Sequence, residues 1–276
     1  MVNDSLMAIA FAVGCWWMGT GIILWLDRLA THHLRHSLVV GSLLFGLSFW
    51  GVHTSMQTLS TGYAYLGFGS VIVMWGWHEL AFLSGWLSGP RREPMSENAQ
   101  GWQRWREAVA SILWHELALL ANFAVLVWMQ QGQSNHVALC TFALLWCMRL
   151  SAKLNLFWGV PLHGADYLPP HLRYLASYFR VARPGLWFYL SMTAASAVWA
   201  WLVWSAHAGH VEVNAGWLLL ASLLGLALVE HLVMVLPWPL QKLWGWAMTK
   251  DGPTPTSSLT APVPLAADAH PHRVLP

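Results

Sequence analysis

Read only as apolar and polar positions, the chain is a succession of long apolar runs joined by short polar connectors. Seven runs stand out: Leu6–Leu26, Leu38–Leu59, Tyr63–Leu87, Ala108–Met129, His136–Trp158, Leu186–Ala206 and Trp217–Leu236. A helix rising 1.5 Å per residue needs about 20 residues to cross a bilayer, and each run is that long. The pattern predicts an all-α, polytopic integral membrane protein with seven transmembrane helices in one bundle. Pro237-Trp238-Pro239 breaks the last helix, and Leu240–Met248 reads as a short amphipathic piece along the interface. Residues 1–250 form the membrane domain, with a connector at 159–184. Residues 251–276, rich in Pro, Ala and Thr without an apolar period, are expected to be a disordered cytoplasmic tail.

Composition supports this class. Hydrophobic residues make up 57% of the chain and charged ones only 9%, where a soluble domain carries about 25%. The first residues lack the positive stretch of a signal peptide, so Leu6–Leu26 is read as a span. Cys15, Cys140 and Cys147 all fall in apolar runs and suggest neither a disulfide framework nor a cysteine metal motif. Many tryptophans sit near span ends, where aromatic belts form. Nucleic acid is not among the expected partners; the lipid bilayer is.

The placement of charge sets an orientation. All 14 Lys and Arg residues lie in the first, third and fifth connectors, at the end of the fifth span, or in the C-terminal region. The positive-inside rule then puts the N-terminus outside and the C-terminus in the cytoplasm.

Against this apolar background three pairs are conspicuous. Trp77-His78-Glu79-Leu80 and Trp114-His115-Glu116-Leu117 repeat the same four letters in the third and fourth runs, and Glu230-His231 reverses the order in the seventh. An ionisable group near a helix centre costs about 2–4 kcal/mol even on lenient scales. Counted from the run ends, all three pairs lie roughly 9–12 Å inside the basic boundary and can converge. Asn122, Arg149 and Asn155 are candidate supporting partners; His53, nearer the other side, fits less well. Three chemistries suit such a set. Three His and three Glu match the inventory of a di-metal centre, although not the Glu-x-x-His spacing of ferritin-like bundles. The pairs also suit a proton or ion relay, or a single imidazole could ligate the metal of a tetrapyrrole. The alternative is structural, with each Glu protonated or paired to lock helix packing.

The fifth connector carries a more specific signal. Lys153-Leu154-Asn155-Leu156-Phe157-Trp158-Gly159-Val160-Pro161, followed by Leu168-Pro169-Pro170-His171-Leu172-Arg173-Tyr174-Leu175-Ala176-Ser177-Tyr178-Phe179, resembles the PuhE family of photosynthetic complex assembly proteins, inner-membrane proteins of purple phototrophic bacteria encoded among photosynthesis genes. The resemblance spans roughly Leu6–Met248. It implies a multi-pass protein of the bacterial inner membrane that supports assembly of the photosynthetic apparatus. Photosynthetic complex subunits or pigment are the implied partners, and a metal ion or a bacteriochlorophyll-type tetrapyrrole the candidate cofactor. The family supplies no catalytic residues. A membrane metalloenzyme acting on a tetrapyrrole or lipid-soluble substrate is the rival reading, and an ion or proton carrier the third. From the residues themselves, Pro161, Pro169 and Pro170 stop helices, and Pro170 can open a short one containing His171, Arg173 and Tyr174. Its apolar side, Leu172, Leu175, Tyr178 and Phe179, is expected to lie on the membrane surface.

Overall fold

The structure, a computed structural model, describes residues 2–27, 31–162, 164–165, 168–208, 211–238 and 243–246. It is all-helical. The long helices are α1 (Val2–Asp27), α2 (Thr31–Met56), α3 (Thr61–Leu83), α4 (Gly101–Met129), α5 (Val137–Trp158), α6 (Leu186–Ala208) and α7 (Val211–Val233). All seven are long and apolar enough to cross a membrane, so this is a polytopic membrane protein. The tail 251–276 and most of 240–248 lie outside the described residues.

The boundaries differ from the apolar runs where polar chemistry decides them. α3 stops at Leu83, with Ser84 as its C-cap and Gly85 at φ +74°, a left-handed turn that glycine adopts freely. α4 begins seven residues before the apolar run. Gly101–Glu107, which the apolar pattern leaves in the connector before the fourth run, is polar helix projecting beyond the apolar span. Its start is held by Glu107, which accepts from the Ser96 amide (3.0 Å) and hydroxyl (2.9 Å) and faces Arg91 at 3.3 Å.

α3 is the centre of the bundle, packing on α1, α2, α5 and α7, while α7 also packs on α5 and α6. The α2–α3 approach is close because glycines face serines. A Cβ at Gly51 would come 2.3 Å from Ser70 Oγ, and one at Gly67 2.7 Å from Ser55 Oγ. Small residues let membrane helices gain dispersion energy, which replaces the hydrophobic drive that lipid removes. Three apolar clusters fill the bundle. Val52, Met56, Met74, Leu119, Leu126 and Phe142 join α2 to α5. Ala8, Ala12, Phe68 and Leu219 join α1, α3 and α7. Leu202, Leu220 and Leu224 seat α6 on α7.

A fourth cluster lies under the bundle, at the end that carries the basic residues. The connector helix Pro170–Tyr178 is a 3-10 helix with Pro170 in its first turn, as the sequence predicts. Its apolar side does not face lipid. Leu172, Leu175 and Tyr178 are buried against Phe82, Ala108, Ile112 and Met95. The apolar side, expected against the membrane surface, packs on protein instead, because the end of α3 and the extended α4 offer it a surface. It forms a lid.

Candidate functional site: a charged cavity above a locked lid

The lid is fixed by the residues that make the fifth connector distinctive. His171 Nε2 contacts the Leu83 carbonyl at 2.7 Å, one of the acceptors left open at the end of α3. Tyr178 Oη accepts from Arg91 Nε (2.9 Å) and donates to the Glu93 carbonyl (2.9 Å). Ser177 Oγ accepts the Met95 amide at 2.8 Å. Arg104, on the polar first turn of α4, donates to the carbonyls of Phe157 (2.7 Å) and Tyr178 (3.2 Å), with its guanidinium 3.8 Å from the Phe157 ring centroid. Val160 pairs with the backbone around Val181, and Leu162 N–H reaches the Met234 carbonyl at the end of α7. Pro161, Pro169, Arg173 and Tyr174 belong to this lid; Arg173 is exposed and Tyr174 packs on the cluster.

Segment 88–91, whose Arg91 also holds the lid, lies directly on the α4 backbone. Ser88 O accepts the His115 N–H at 3.0 Å and Arg91 N–H reaches Ala110 O at 3.3 Å. A Cβ at Gly89 would stand 2.1 Å from Ala110 O, so only glycine allows this approach.

Above the lid is a cavity of about 1020 Å³ walled by α1, α2, α3, α5 and α7. Its apolar lining includes Trp16, Trp25, Trp75, Trp77 and Phe82, and its floor includes Leu168, Leu175 and Tyr178. Its charged lining, among the described residues, is Glu79, Arg149, Lys153 and Glu230.

Two of the three His–Glu pairs meet on cations of α5. Arg149 donates to Glu79 at 3.0 Å, and Lys153 pairs with Glu116, which also accepts from Trp146 Nε1 at 3.1 Å. The guanidinium of Arg149 lies within Coulombic reach of all three carboxylates, Glu79 first, then Glu230 and Glu116. Glu230 accepts a 2.7 Å hydrogen bond from Trp16 Nε1 of α1. Glu79 stands four residues from the end of α3 and Glu230 three from the end of α7. At 1.5 Å per residue these charges lie about 5–6 Å inside the helix ends, shallower than the run boundaries imply.

The histidines do not join the carboxylates. Adjacent helical residues point about 100° apart, so when each Glu turns to a cation its His turns elsewhere. His78 Nε2 pairs with Asn122 Nδ2 at 3.1 Å. His115 is fully enclosed, its ring 4.6 Å from that of Phe82, with neither ring nitrogen partnered among the described residues. His231 Nδ1 meets Ala227 O (2.9 Å) and Nε2 meets Ser151 Oγ (3.1 Å). Asn155 lies near Ser151 and Ser191, each at 3.5 Å, on the His231 side. His53 pairs with Gln57 in the last turn of α2 and is exposed, so it takes no part. Among the described residues no three His, Cys, Asp or Glu side chains are placed to hold a metal ion. The inventory of a di-metal centre is present, but its arrangement is not. Of these three imidazoles only His231 lines the cavity, and both of its ring nitrogens are engaged.

Lys153, Trp16 and Trp146 were missed as site residues by sequence reasoning. Lys153 was detectable: it follows Arg149 by four residues, which puts both cations on one face of a membrane helix. The indole partners carry no such signal.

A family model described as "Protein of unknown function (DUF3623)" matches residues 2–254. The chain belongs to the DUF3623 family. It is 40% identical over 273 residues to "Uncharacterized 30.4 kDa protein in puhA 5'region" from Rhodobacter capsulatus, covering 96% of this chain and 97% of that relative. No solved structure matches the chain.

Proposed function

We propose that this chain is an integral membrane factor supporting assembly of the photosynthetic apparatus, either its reaction-centre and light-harvesting complexes or their pigment supply. The observation that carries the reading is the full-length relative in the puhA 5' region. It agrees with the resemblance of the fifth connector to the PuhE family, whose members are encoded among photosynthesis genes. The physical character of the site favours binding over metal chemistry. Two of its three carboxylates are already neutralised by Arg149 and Lys153, whereas a metal-holding site needs carboxylates free to carry the ion's charge. The location is a bacterial inner membrane, with the lid and the basic end in the cytoplasm by the positive-inside rule. The repeated Trp-His-Glu-Leu then serves to build one polar wall twice, from α3 and α4, against the two cations of α5.

The test is affinity purification of a tagged chain from phototrophic cells while the apparatus is being induced. Reaction-centre or antenna subunits, or pigment, should co-purify below stoichiometry and disappear once assembly is complete. A chain that never co-purifies with any of them counts against the reading.

A further inference from the structure

The cavity has a shape and a charge that nothing above assigns to a ligand. It is closed below by the lid, because Leu175 and Tyr178 form part of its floor and are buried in the cluster beneath α3. It is open sideways. α1 and α2 barely touch each other, and Ile22 and Trp25 of α1 and Val40 and Leu44 of α2 line the cavity while remaining exposed. In a membrane protein such a rim faces lipid tails. The α1 wall extends from Cys15 to Leu26, about 16 Å at 1.5 Å per residue, long enough for an extended chain. Whatever enters comes from the bilayer.

The charge count selects its head. Lys153 is matched by Glu116 and Arg149 by Glu79, leaving Glu230 as the carboxylate without a cation in direct contact among the described residues. Glu230 belongs to a packed helix yet is exposed, and the space it faces is the cavity. Among the described residues, its hydrogen-bond donor is the neutral Trp16 indole. Among the described residues, an anionic head would meet three carboxylates against two cations, both already paired. A head that brings a positive charge and N–H donors would complete the set, in a setting where an uncompensated carboxylate is costly.

We propose that the cavity is a lateral entry site for a membrane-dissolved amphiphile with an amino head, its ammonium seated on Glu230 and its apolar chain between α1 and α2. This goes beyond the assembly role and does not depend on it.

The experiment uses the full chain in lipid nanodiscs with three photoactivatable probes of equal chain length, ending in a primary amine, an alcohol or a carboxylate. Labelled peptides are mapped by mass spectrometry. The amine should label α1 and the first half of α2 at least 10-fold more than the carboxylate does, while lipid-facing labelling of α6 is equal for all three. Glu230→Gln should bring amine labelling down to the alcohol level. Trp16→Phe, which frees the carboxylate, should raise it, and this variant keeps the test decisive if Glu230→Gln does not fold. Val40→Trp, at the mouth, should block all three probes. Equal cavity labelling by amine and carboxylate would overturn the proposal, as would amine labelling unchanged in both Glu230→Gln and Trp16→Phe.

Discussion

Replacing Arg149 with Met keeps the bulk of the side chain, removes its charge, and leaves Glu79 facing α5 without a partner. Removing one member of a buried pair costs about 3–5 kcal/mol, because the other charge stays behind unpaired. Here Glu79 is 12% exposed and Arg149 41%, and this partial exposure reduces the loss to about 2–3 kcal/mol. At about 2–4 °C per kcal/mol for a chain of this size, the melting temperature should fall by about 4–12 °C. Glu79→Gln, which retains an acceptor, should cost only about 1 kcal/mol. The double variant should be more stable than Arg149→Met alone, since no orphan carboxylate remains, giving a coupling of about 1–2 kcal/mol. Unfolding of the purified protein in mixed micelles, followed by tryptophan fluorescence, measures all four corners of the cycle. Strict additivity, or an Arg149→Met variant within about 0.5 kcal/mol of wild type, would refute the ion-pair account of the site.

Three further outcomes follow from the same geometry. Gly89→Ala should destabilise by about 2–4 kcal/mol through overpacking on the α4 backbone and loss of the Ser88–His115 hydrogen bond, measured by the same unfolding assay; unchanged stability would remove segment 88–91 from α4. Burial raises the Tyr178 phenol above its ordinary value, so its contribution to stability is present below about pH 10 and lost as pH rises through the raised folded value; the loss between pH 9 and 11 should vanish in Tyr178→Phe. Reporter fusions after Gln131 should read as periplasmic and those after Lys250 as cytoplasmic, and the reverse pattern would invert the lid.

Much of the fold was legible in the sequence because bilayer length acts on whole runs. Seven helices, their class and the Pro170 start of the lid follow from patterns of many residues. The ends of α3 and α4 did not, since Ser84, Gly85 and the Glu107–Ser96–Arg91 contacts are decided by a few polar atoms. At the site, the sequence located the three carboxylates but not their partners. Periodicity says that Glu79 and Glu116 share a depth; it does not say that α5 stands between them with Arg149 and Lys153. The amphipathic side of the lid helix was also legible, though not its partner, because burial against protein and burial against lipid demand the same residues.

The central claim is most directly tested in Rhodobacter capsulatus lacking the 40% identical relative, by the near-infrared absorbance of membranes from cells shifted to phototrophic conditions. The account predicts lower reaction-centre and antenna bands, restored by supplying this chain, with no new pigment intermediate. Unchanged bands in the deletion strain would contradict an assembly role, and accumulation of an unconverted pigment precursor would replace it with an enzyme.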